Sequence, residues 1–123
     1  MKKILIVDDE KGMRSLLRSL LEGFSLDIRE AVDGAQAWEM ASSEEFDLVI
    51  SDYAMPKLDG QALLARCREH IPAVPFIMVS GYFQKSIEER DNVFLMAKPF
   101  SLDHLVGLVE RILGMKYLQP AQV

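Results

Sequence analysis

KILIVDDEKGMRSLLRSLL, residues 3–21, is the stretch that decides the architecture. Residues 3–7 are a short, β-branched apolar run, closed at its carboxyl end by Asp8 and Asp9, which reads as a buried strand. From Lys11 to Phe24 the period changes. Met13, Leu16, Leu17, Leu20 and Leu21 recur at intervals of three and four, the mark of a helix with one apolar face. A strand is thus followed at once by an amphipathic helix, with acids at the junction.

The same alternation runs outward to the end of the chain. Further strands are predicted at residues 27–31, 48–51, 76–79 and 93–97. Three of the five read as nearly continuous apolar runs, as parallel strands covered on both faces do. Helix starts are marked by Asp33 with Gln36 three residues on, by Asp59-Gly60, and by Ser101 after Pro99-Phe100. Leu105, Leu108, Val109 and Ile112 define a last apolar helical face, and Ser86-Ile87-Glu88-Glu89 has capping-box spacing, predicting a short fourth helix that ends by Asp91-Asn92. Five strands and five helices in βα order predict an α/β fold with a doubly wound parallel sheet, whose site lies beyond the carboxyl ends of the strands. Residues 1–114 are expected to form one domain and residues 115–123 a tail, with Gly114 onward reading as a frayed end.

Composition narrows the function. The chain has 123 residues, half of them apolar, enough for one core. A net charge of -5 opposes a nucleic-acid or anionic-membrane surface and points to protein partners. A lone Cys67 in an apolar run reads as a small buried hydrophobe, in keeping with a reducing cytoplasm. The N-terminal apolar run meets acids too early for a signal peptide, and no window is long enough to span a bilayer.

Residues at or just past the ends of strands one, three, four and five are Asp8 with Asp9, Asp52, Ser80 and Lys98. A parallel sheet would gather them in one crevice. Grouped carboxylates raise one another's pKa, so such a cluster calls for positive charge. Mg²⁺ supplies it, preferring oxygen ligands and binding through one or two carboxylates plus phosphate oxygens. Ser80 adds a hydroxyl donor and Lys98 a mobile ammonium, both suited to phosphoryl oxygens. Because a carboxylate can itself be the nucleophile, Asp52 is the candidate acceptor, forming an aspartyl phosphate without Ser–His machinery. Each residue alone has a plainer role: Asp8 and Asp9 as caps of the next helix, Asp52 and Ser80-Gly81 as turns, Lys98 as a solvated loop lysine. Their joint order favours phosphoryl chemistry. His70 and His104 lack metal-ligand companions at helical spacing, and Trp38 and the seven Met residues read as packing.

Asp8-Asp9, Asp52-Tyr53-Ala54-Met55-Pro56-Lys57-Leu58-Asp59-Gly60, Ser80-Gly81 and Lys98-Pro99-Phe100 together resemble the response-regulator receiver family of two-component signalling, over nearly the whole chain. The resemblance implies a flavodoxin-like sheet of order 2-1-3-4-5. It implies Mg²⁺ held directly by Asp9, Asp52 and the backbone carbonyl of Ala54, with Asp8 acting mainly through water. Lys98 would pair with the phosphoryl group, Ser80 would swing toward it on activation, and the Lys98–Pro99 peptide would be cis.

The chain also departs from that family. Where the family usually carries an aromatic switch, three residues before the lysine, stands Leu95, and strand alternation points the adjacent Phe94 to the other face. The span from Ser80 to Lys98 is short for a full fourth helix, which is similar to receivers attached to or serving hybrid histidine kinases more than to those joined to DNA-binding domains. Ala54 offers no side-chain hydrogen bond, and Tyr82 is placed to shield a phosphoryl group, which predicts an altered phosphate lifetime.

The reading is therefore a cytoplasmic receiver, not an enzyme beyond its own Mg²⁺-dependent phosphorylation and dephosphorylation. Asp52 takes phosphate from a histidine kinase or a histidine phosphotransfer protein and alters affinity for a downstream protein, with no nucleic acid or membrane bound by this domain. Two alternatives stand beside it. One is a receiver-like interaction module that is never phosphorylated; the other is an aspartate-nucleophile phosphatase, opposed by Ala54 where such enzymes carry a second Asp.

Overall fold

The computed structural model describes residues 1–81, 89 and 92–118. Its elements run β1 (Lys2–Val7), α1 (Lys11–Leu20), β2 (Leu26–Ala31), α2 (Gly34–Ser43), β3 (Leu48–Asp52), α3 (Gly60–His70), β4 (Phe76–Ser80), β5 (Val93–Ala97) and α4 (Leu102–Leu113). All pairings are parallel and the order is β2-β1-β3-β4-β5. Four helices fall among the described residues where five were expected. The short helix predicted from Ser86, and Tyr82 with its shielding role, lie outside them.

Alternation along each strand sorts the core into two layers. Ile4, Ile6, Ile50, Ile77 and Met96 pack with Leu17 of α1, Leu21 just past its end, and Leu105 and Val109 of α4. Leu5, Val7, Val49, Phe76 and Met78 pack on the opposite face with Ala37 of α2 and Leu63 and Cys67 of α3. Full burial of each such aliphatic side chain is worth about 1.5–3 kcal/mol, so both helix layers are held chiefly by the sheet's own side chains. Burial pushes the Cys67 thiol up to about 11, keeping it a protonated packing group. Phe94 and Leu95 divide between the two layers, as their alternation requires.

Three helix starts match their caps. Asp33 accepts from the Gln36 amide at 2.8 Å, Asp59 from Ala62 at 2.8 Å, and Ser101 from His104 at 3.0 Å. Helix α1 differs: its N-cap is Glu10, without a side-chain cap, so neither Asp8 nor Asp9 caps it. Residues 115–118, the described part of the expected tail, lie against the end of α4 and the α1–β2 connection. Gly114 closes α4 in the left-handed conformation, the Tyr117 amide donates to Glu110 Oε2 at 3.0 Å, and the Leu118 amide donates to the Gly23 carbonyl at 2.7 Å. The Tyr117 ring meets Phe24 edge-on, 5.0 Å between centroids. Backbone donors and an aromatic contact, invisible to a composition-based reading, anchor the segment.

Candidate functional site

The strand order reverses between β1 and β3, and the crevice beyond their carboxyl ends is where a doubly wound sheet presents a site. Register brings the predicted residues level: Val7 lies beside Ser51, Asp52 beside Val79, and Ser80 beside Ala97. Asp8 and Asp9 follow β1, Asp52 ends β3, Ser80 ends β4 and Lys98 follows β5.

Oxygens of Asp8, Asp9 and Asp52 lie within 4.8 Å of one another. Lys98 Nζ donates to Asp52 Oδ1 at 3.1 Å. Asp8 is buried, 2% exposed, Asp9 is exposed, and the Asp52 side chain retains 11% exposure. Thus one carboxylate closes the floor while the others stay accessible from solvent.

Burial, seconded by the Asp52 and Asp9 charges, raises the Asp8 carboxyl above its ordinary value, against the Glu10 amide and Lys98, which favour the ionised form. The Glu10 N–H donates to Asp8 Oδ1 at 2.9 Å. Among the described contacts the three carboxylates meet one ammonium, that of Lys98, and their oxygens cluster closely enough to share one ion. That set fits a hard divalent cation.

The loop after β3 is held against the same end of the sheet. Its Gly60 amide donates to the Tyr53 carbonyl at 2.8 Å, and a Cβ at Gly60 would press on the Asp52 carbonyl and lie 2.7 Å from Met78 Sδ. Only glycine lets α3 begin so close to the candidate acceptor. Lys57 sits at φ 68°, and Ala54 lies exposed within this loop. Buried Ser80 shares the crevice wall with Lys98, whose amide donates to the Ser80 carbonyl at 2.9 Å. The Lys98–Pro99 peptide is cis.

Two residues escaped the sequence reading. Arg14 NH1 donates to the Asp8 carbonyl at 2.8 Å, and Arg14 Nε donates to Glu30 Oε1 at 3.1 Å. Their link depends on β1 pairing with β2 in the register that sets Ile6 beside Glu30, so no local pattern could reveal it.

A family model described as the response regulator receiver domain matches residues 4–110. The chain is similar to the response regulator receiver protein CpdR of Brucella abortus, 30% identical, with 92% of this chain and 98% of that protein covered. It is 34% identical to the sensor kinase CckA of the same organism, covering 89% of this chain but 12% of the kinase, so it spans only a small part of that longer protein. Among solved structures, the response regulator TrrA of Thermotoga maritima, in complex with Mg²⁺ and BeF, superposes with a TM-score of 0.82 at 30% identity, covering 91% of this chain and 99% of that one.

Proposed function

The chain belongs to the response regulator receiver domain family, and from that premise we propose that Asp52 accepts a phosphoryl group from a protein phosphohistidine, in a domain formed by residues 1–114. The observation that carries the proposal is the convergence of Lys98, 3.1 Å from Asp52, with three carboxylates whose oxygens lie within 4.8 Å of one another.

Asp8, Asp9, Asp52 and the Ala54 carbonyl would hold Mg²⁺, with Asp8 acting mainly through water. Mg²⁺ supplies charge neutralisation and orients phosphoryl oxygens. A carboxylate oxygen of Asp52 attacks phosphorus, the P–N bond of the phosphohistidine breaks, and its electron pair stays on the departing imidazole. Lys98, already at hydrogen-bond distance from Asp52, transfers its ammonium contact to the incoming phosphoryl oxygens. Ser80, at the end of the neighbouring strand β4, swings toward the same oxygens on activation and supplies a hydroxyl to them. The reaction needs positioning more than proton transfer, which suits a site with no histidine among its residues. The donor is a histidine kinase or a histidine phosphotransfer protein in the cytoplasm, and the acylphosphate alters affinity for a downstream protein partner.

Incubating the protein with Mg²⁺ and acetyl phosphate should add one phosphoryl mass to wild type and none to Asp52→Asn, read by intact-mass spectrometry. Wild type that stays unmodified with this donor and with a panel of histidine kinases would replace the proposal by an unphosphorylated interaction module.

A further inference from the structure

Resting on the Mg²⁺ site proposed above, a further inference concerns what holds its acidic loop in place. Asp8 is tied at three points: its amide donates to the Ala31 carbonyl at 3.2 Å, its Oδ1 accepts from Glu10 at 2.9 Å, and its carbonyl accepts from Arg14 NH1 at 2.8 Å. Arg14 is in turn anchored by Glu30 at 3.1 Å, and its side chain is only 12% exposed. Glu30 holds a second guanidinium as well. Arg18 Nε lies 2.7 Å from its Oε2, and Arg18 NH2 donates to the Ile28 carbonyl at 2.9 Å. The two arginines share one carboxylate, but among the contacts described only Arg14 reaches the acidic loop.

We propose that Arg14 is a positioning residue for the divalent cation: braced on Glu30 of the edge strand, it fixes the Asp8 carbonyl and so presents the Asp8 and Asp9 carboxylates for binding. A planar guanidinium can serve a carboxylate and a carbonyl at once, which a single ammonium does less well. Glu30, shared with Arg18, offsets only part of the guanidinium charge, and the role proposed for Arg14 is geometric. A through-space charge effect would have the opposite sign, since removing a cation beside an acidic cluster tightens cation binding.

Mg²⁺ binding to the whole chain, measured by calorimetry without any phosphodonor, separates these accounts. Arg14→Met should weaken Mg²⁺ affinity by roughly tenfold, as loss of a partner that orients metal ligands commonly does. Arg14→Lys should fall between it and wild type, while Arg18→Met leaves the affinity unchanged. In metal-free protein, exchange of the Glu10 amide should quicken in Arg14→Met and not in Arg18→Met. If Arg14→Met fails to fold, the Lys variant decides, and full wild-type affinity there overturns the inference. Equal weakening by both Met variants reduces Arg14 to a structural residue, and tighter or unchanged binding by Arg14→Met also overturns the inference. Wild type that takes up no Mg²⁺ overturns the metal-site reading itself, whereas normal wild-type uptake with an indifferent Arg14→Met overturns only the positioning role.

Discussion

At the carboxyl ends of the strands three carboxylates converge beside Lys98, whereas at the amino ends acids and bases meet partner by partner. Lys3 Nζ lies 3.0 Å from Glu44 Oε1 and 5.5 Å from the Phe46 ring centroid. The Lys3 amide donates to Asp47 Oδ2 at 2.8 Å, and the Asp47 amide returns a bond of 2.8 Å to the Lys3 carbonyl. Folding accounts for every one of those charges. It does not account for Asp8, a buried acid whose ionised form is disfavoured where it sits. The contrast separates charge that fastens the fold from charge that waits for a ligand.

The sharpest way to break the comparison is Asp8→Asn. It keeps an oxygen to accept from the Glu10 amide but removes the surplus charge, and should weaken Mg²⁺ binding at least tenfold in a calorimetric titration. Metal-free stability should move the other way. Because folding raises the Asp8 pKa, the folded state holds its proton more tightly than the unfolded chain does. Stability on this account is greatest at acidic pH, falls as pH rises through the folded value, and stays reduced at neutral pH. Melting in EDTA at neutral pH should therefore find Asp8→Asn a few degrees more stable than wild type, with the gap closing at acidic pH. A neutral-pH melt in which the variant is the less stable protein would place Asp8 among the structural charges.

Two amino-end substitutions give smaller effects. Tyr117→Ala removes the edge-on contact with Phe24 and should cost about 1 kcal/mol in urea denaturation, with Mg²⁺ affinity untouched. Glu44→Gln breaks partly exposed pairs with Lys3 and Arg29 and should cost less than about 1 kcal/mol, a loss that fades at high salt. A change in Mg²⁺ affinity in either variant would show that the two ends are not independent.

How much was legible in advance follows the range of the interactions. Asp33, Asp59 and Ser101 cap their helices through contacts three residues away, and a linear reading finds such contacts. The strands were recognisable because burial on both faces of a parallel sheet leaves continuous apolar runs. That Asp8, Asp9, Asp52, Ser80 and Lys98 would stand together at one end of the sheet was legible from their place at strand ends, given only the rule that parallel strands align their carboxyl termini. The role of Asp8 within the loop was not: as a lone acid before a helix it resembled a cap, yet its oxygen bonds back to Glu10 before α1 begins. Nor was the docking of residues 115–118, whose partners Gly23 and Phe24 lie more than ninety positions away.

From the order of residues alone came the α/β class, the strand and helix starts, the acidic pair, the acceptor candidate and the lysine, because each rests on local period or local chemistry. Only the tertiary structure decided that Asp8 is buried and reluctant to ionise, that Arg14 braces its carbonyl from Glu30, and that Tyr117 seals the far end. Those facts depend on which strands pair and in what register, a choice made by packing across the sheet, where contacts between distant residues outweigh the preferences of any single segment.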